Sequence, residues 1–84
     1  MKYCLITFRS VTPAQRGEQV LKRAGVSVVL SRTPKWMEQQ GCGYSLRVKL
    51  HTAAECARLL REEKVDFRKI YVIRENGKGE ELLL

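Results

Sequence analysis

The residue best placed to do chemistry is Cys42, which stands between Gly41 and Gly43 with Arg32, Lys35 and Arg47 nearby along the chain. Glycine on both sides removes Cβ bulk, so the loop of another protein can approach the sulfur closely. Successive amides in a glycine-rich turn form an anion-binding nest, and with nearby cations they favour thiolate over thiol. A nucleophilic sulfur that must meet other proteins needs that exposure and that field. A bystander cysteine in a glycine turn has the same local sequence. From residue chemistry alone the two readings stand level.

The other candidates have simpler explanations. Cys4 alternates with core positions of an opening strand, and Cys56 falls on the apolar stripe of a helix, where free cysteine serves as a small buried hydrophobe. Three widely spaced cysteines without a Cys-x-x-Cys pair make no disulfide framework, and a single histidine cannot complete a zinc site. No metal is expected. His51 would be the natural base for Cys42, but a strand of about seven residues, roughly 23 Å when extended, separates them. That pairing is rejected. Trp36 shields the Cys42 loop, anchors a partner, or caps one end of the core. A Gly-rich phosphate loop, a carboxylate pair and a serine with its base are all missing. No cofactor is expected, and an accessory protein fits better than a stand-alone enzyme.

The elements that must position Cys42 follow from periodicity. Lys2 to Phe8 alternates two faces and is rich in β-formers, so it reads as a strand. Thr12-Pro13-Ala14-Gln15 has the form of a capping box and opens a helix over about 13–24. Gly17, Val20, Leu21 and Ala24 line its buried side, and Gly25 is its left-handed stop. Val26 to Arg32 is a second strand, residues 33–43 a loop, and Tyr44 to Leu50 a two-faced third strand. Thr52-Ala53-Ala54-Glu55 repeats the capping pattern for a helix over 53–63, with Ala53, Cys56, Ala57 and Leu60 as its stripe. Arg68 to Arg74 is the last strand, and Asn76-Gly77 then turns the chain. Residues 75–84 either fray or add a short edge strand.

The order β-α-β-β-α-β predicts an α+β fold: a ferredoxin-like sandwich occupying residues 1–84 as one domain, with two helices on one face of a four-stranded antiparallel sheet. The covered face is predicted to carry Cys4, Ile6, Phe8, Val26, Val28, Leu30, Leu46, Val48, Ile70 and Val72. The open face would carry Tyr3, Leu5, Thr7, Val29, Ser31, Ser45, Arg47, Lys49, Tyr71 and Ile73. That second set is too apolar to be wholly solvated, which predicts a homodimer or a partner over the open face.

Size and charge limit the alternatives. A chain of 84 residues holds one thin core. Sixteen Lys+Arg against nine Asp+Glu leave a net charge of +7, so an anionic partner suits the surface. No apolar run approaches the ~18 residues of a membrane span, and the opening MKYCLITFRS has no signal-peptide cleavage site. Location in the cytoplasm, away from membranes, is the expectation.

Cys42-Gly43-Tyr44-Ser45-Leu46-Arg47 resembles the Cys-Gly-apolar-small-Leu-Arg stretch of the selenium/sulfur carrier-like family, a family of short bacterial ferredoxin-like domains. The resemblance extends to Thr7-Phe8-Arg9-Ser10, to the helix before Gly25-Val26, and to Thr33-Pro34-Lys35. It departs at Glu38-Gln39-Gln40, where a serine often precedes the Cys-Gly. What the resemblance implies is a carrier. Cys42 would be its nucleophile, with Gly43 and Arg47 as companions, holding a persulfide or selenosulfide between donor and acceptor proteins. Arg47 is about five positions, ~16 Å when extended, from Cys42, so direct contact requires the loop to fold back. The alternative is an RNA-binding module that stacks bases on Tyr3 and Tyr71 and holds phosphates with Arg47 and Lys49. Against it, YSLRVKL lacks the aromatic–glycine signature of such modules. A regulatory domain with a ligand at a sheet-mediated dimer interface is a third reading, for which the sequence gives no ligand signal.

Overall fold

Segments alternating with period two become strands, and the two 3.6-period segments become helices. In the computed structural model, which describes residues 3–33, 43–74 and 79–82, the order is β1 (Tyr3–Phe8), α1 (Val11–Arg23), β2 (Val29–Arg32), β3 (Tyr44–Lys49), a 3-10 turn at Leu50–Thr52, α2 (Ala53–Glu62), β4 (Ile70–Ile73) and β5 (Gly79–Glu81). Every strand pairing is antiparallel, in the sheet order β2-β3-β1-β4-β5. The fold is α+β, with a five-stranded sheet where four strands were predicted. The addition is β5, which pairs Glu80 with Val72, and beyond it the Leu82 amide donates to the Ile70 carbonyl at 2.7 Å. The Asn76-Gly77 turn and Leu83-Leu84 lie outside the described residues.

Register sorts the two faces as the alternation predicts. Cys4, Ile6 and Phe8 pair with Val48, Leu46 and Tyr44 on one face, and Tyr3, Leu5 and Thr7 pair with Lys49, Arg47 and Ser45 on the other. Both helices cover the first face. Ala14 and Leu21 of α1 and Ala53, Cys56, Ala57 and Leu60 of α2 share its buried cluster. Gly17 lets α1 settle onto the sheet, since a Cβ there would lie 3.1 Å from both Leu46 Cδ1 and Phe8 Cζ. Val26, Leu30 and Val72 are only half-buried members of the set. Ala24, predicted on the buried side, is instead the exposed C-cap of α1.

The helix starts depart from prediction. Ser10, not Thr12, is the N-cap of α1, and it makes no side-chain cap bond. Thr52 caps α2 from a nearly helical backbone, so its hydroxyl turns back and donates to the Lys49 carbonyl at 2.8 Å. Neither capping box forms. β2 also starts later than Val26, because Val26 is used to close α1: its amide donates to the Leu21 carbonyl at 2.9 Å while Gly25 adopts φ +83°.

The open face is less bare than its composition implies. Leu5 and Ile73 are 4% and 3% exposed within the single chain. Arg47 lies across the Tyr3 ring at 4.3 Å, and the Lys69–Glu81 ion pair spans 3.5 Å near Tyr71. Val29 is the exposed large hydrophobic, at 58%, among the described residues. Among the described residues, little apolar surface is left on this face. Among the described residues no helix is long and apolar enough to cross a membrane.

Candidate functional site

Four chain segments meet at one end of the sheet. Phe8 closes β1 opposite Tyr44, which opens β3, while Arg32 closes β2 opposite the same Tyr44 and Ile70 opens β4 opposite Ile6. Thr33, Gly43, Arg9 and the Arg68-Lys69 pair therefore lie side by side along this rim. The Thr33 amide donates to the Gly43 carbonyl at 3.0 Å, which extends the β2–β3 register by one rung. The points where segment 34–42 leaves and rejoins the sheet are thus bonded to each other. Gly43 is buried. Cys42, covalently attached to it, lies outside the described residues, as do Lys35, Trp36 and Gly41.

The rim is cationic. A cleft of about 340 Å³ is lined by Arg9, Ser10 and Pro13 at the start of α1 and by Asp66, Phe67, Arg68 and Lys69 ahead of β4. The first turn of α1 has no acidic residue of its own, and the carboxylate lining the cleft, Asp66, comes from the segment ahead of β4. The cleft wall is held by a β-bulge, in which Arg68 and Lys69 together face Thr7. Thr7 donates its amide to the Lys69 carbonyl and accepts the Arg68 amide, both at 2.8 Å. Its hydroxyl then accepts the Lys69 amide and donates to the Lys69 carbonyl, each at 3.1 Å.

Arg47 is not at this rim. It is exposed in the middle of β3, opposite Leu5 and Val29, with its guanidinium stacked on Tyr3. Four strand positions put its backbone about 13 Å from Gly43. Arg32, 6.0 Å from the centre of the Tyr44 ring, is the cation on the strand end beside Gly43. The stacked Arg47 also covers one of the two rings that base stacking would need. His51 sits in the 3-10 turn at the far end of β3, exposed and remote from Gly43.

Cys4 and Cys56 are free thiols with no exposed surface. Burial raises both thiol pKa values above the ordinary range. The neighbouring Cys56 adds to the rise at Cys4, while a hydrogen bond to Thr52 partly offsets it at Cys56. Both thiols should resist alkylation in the native protein and react only on unfolding. Mass mapping of iodoacetamide adducts before and after denaturant checks this, and rapid native labelling of either residue would contradict it.

Sequence reasoning did not single out Arg9 and Ser10, which line the cleft, or Thr33, which is bonded to Gly43. The available signal was topological, because the ends of β1 and β2 and the starts of β3 and β4 must share one rim in this strand order. With that geometry in place, the comparison with known families is direct. The family described as "Putative Se/S carrier protein-like" matches residues 3–72. The chain belongs to this family. The match contains the whole rim, from Thr7 through Gly43 to Lys69, and ends before β5. No curated protein and no solved structure matches the chain.

Proposed function

We propose that this protein carries sulfur or selenium on Cys42, as a persulfide or selenosulfide, between a donor and an acceptor protein. The supporting observation is that the family match spans a rim where Gly43, the residue bonded to Cys42, is anchored among converging strand ends beside a cationic cleft. The cations and the α1 N-terminus favour an anionic sulfur in this region. The chemistry requires nothing more of this chain than a nucleophile. The Cys42 thiolate attacks the outer sulfur of a donor persulfide, an S–S bond forms on Cys42, and the donor's S–S bond breaks to release its thiolate. The proton stays on the transferred sulfur. An acceptor nucleophile reverses the sequence, and a selenosulfide follows the same course. Neither step changes the net oxidation level.

The rest of the reading follows from position. The two helices and first four strands are read as a ferredoxin-like sandwich forming one domain, to which β5 is an edge addition. Gly43 gives partner loops access to the sulfur, and Arg47 on the open face serves partner docking. The protein is read as working in the cytoplasm. Incubation with a donor persulfide, followed by intact-mass analysis without reductant, tests the proposal. The expected result is a gain of one sulfur atom that a thiol removes, and an unchanged mass would refute it.

A further inference from the structure

The cleft at the rim holds positive charge that the chain does not neutralise. Its volume of about 340 Å³ is within the range of ligand pockets, and Arg9, Arg68 and Lys69 line it against the carboxylate of Asp66. Among the described residues, most paired acids lie elsewhere. Glu18 meets Lys22 on α1, Glu55 and Glu62 share Arg58 on α2, and Glu80 meets Arg74. Lys69 reaches Glu81 at 3.5 Å, but as an exposed pair of the kind that contributes little. Arg9 and Arg68 are exposed and have no ion-pair partner among the described residues. Two uncompensated guanidinium groups therefore line one cleft. Its wall is also rigid, because the backbone of Arg68 and Lys69 is set by the bulge bonds to Thr7, which is 9% exposed. A wall held in this way loses little freedom on binding.

The chemistry of the lining selects the occupant. Guanidinium groups match carboxylates through paired N–H···O bonds. Pro13 and Phe67, both half-buried, add an apolar wall that a bare inorganic anion does not use. Nucleic acid fits less well, because Tyr3, Tyr44 and Phe67 each already carry an arginine, at 4.3, 6.0 and 5.4 Å, where bases would stack. We propose that the cleft docks an acidic segment of a partner protein, with carboxylates on Arg9 and Arg68 and an apolar side chain against Pro13 and Phe67. That the partners are proteins rests on the carrier reading. The docking itself involves none of residues 34–42.

The probe is a fluorescein-labelled peptide, Asp-Glu-Leu-Asp-Glu with blocked ends, titrated by fluorescence anisotropy at about 0.15 M salt. Arg9→Gln and Arg68→Gln should each weaken binding about tenfold, as the loss of a hydrogen bond between charged groups does. Both side chains are exposed, so the melting temperature should hold. Asp66→Asn should tighten binding severalfold by removing a like charge. Arg23→Gln is the control, since it deletes the same charge in the last turn of α1. That site is roughly 20 Å along the helix from the cleft, beyond the ~8 Å screening length, so binding should change less than about twofold. Exchanging the peptide's leucine for glycine should also weaken binding, a loss that charge attraction alone does not produce. No binding by the parent, equal losses in Arg23→Gln and Arg68→Gln, no tightening in Asp66→Asn, or no effect of the glycine exchange overturns the proposal. So does an Arg68-dependent affinity for oligouridine that exceeds the affinity for the peptide. The titration needs no loaded cysteine. Its failure leaves the persulfide test untouched, and an unchanged mass in that test refutes the carrier while the peptide result stands.

Discussion

Cys42→Ser protein should take up no sulfur or selenium from a competent donor, while its melting temperature stays within a degree or so of the parent. The loss should be complete, because hydroxyl cannot replace thiolate as the attacking atom at neutral pH. The remaining thiols offer no detour. Cys4 and Cys56 have no exposed surface, and burial holds both in the protonated form. Intact mass after loading, with peptide mapping of any residual adduct, decides the matter. Label appearing on Cys4 or Cys56 in the native Cys42→Ser protein would show the carrier assignment to be wrong.

Phe8→Ala should come close to unfolding the protein. Phe8 is 1% exposed, ends β1 at the rim, and packs against the place where Gly17 brings α1 down to the sheet. Removing a buried phenyl ring costs about 3–5 kcal/mol, because the lost transfer energy is joined by a cavity the helix cannot collapse into. A domain of this size has only about 5–15 kcal/mol to lose. Thermal or urea unfolding followed by circular dichroism reads the effect. A loss below about 1 kcal/mol would mean that the core closes over the gap, contrary to this packing. In the destabilised protein Cys4 and Cys56 should also become open to alkylation, which gives an independent measure of the same loosening.

Both sheet faces were legible because alternation is a local property. Every residue assigned to the covered face, from Cys4 to Val72, pairs in register or packs there. What failed depended on geometry beyond the local pattern. Thr12 and Thr52 both have the sequence of a capping residue, but the chain enters α1 two residues early, at Ser10, and approaches α2 through a 3-10 turn. In the second case the Thr52 hydroxyl finds the Lys49 carbonyl before it can reach a helix amide. The short edge strand, one of the two outcomes expected for 75–84, forms at Gly79–Glu81 without apolar alternation, because β4 leaves an unpaired edge beside it.

The place of β1 in the sheet orders events during synthesis. Tyr3–Phe8 lies between β3 and β4, so this segment lacks one neighbour until Ile70–Ile73 has been made. Translation at roughly 5–20 residues per second leaves a nascent chain holding Cys4 unsealed for some seconds, and Cys56 waits on the same closure. During that interval the three thiols differ little in access. An extra sulfur acquired by Cys4 or Cys56 would then have to fit positions with 0% exposure. Overfilling such a site costs about 1–3 kcal/mol, which works against completion of the fold. Prematurely modified chains would thus be held back by their own packing, and the chains that finish folding would be those whose buried thiols are still bare.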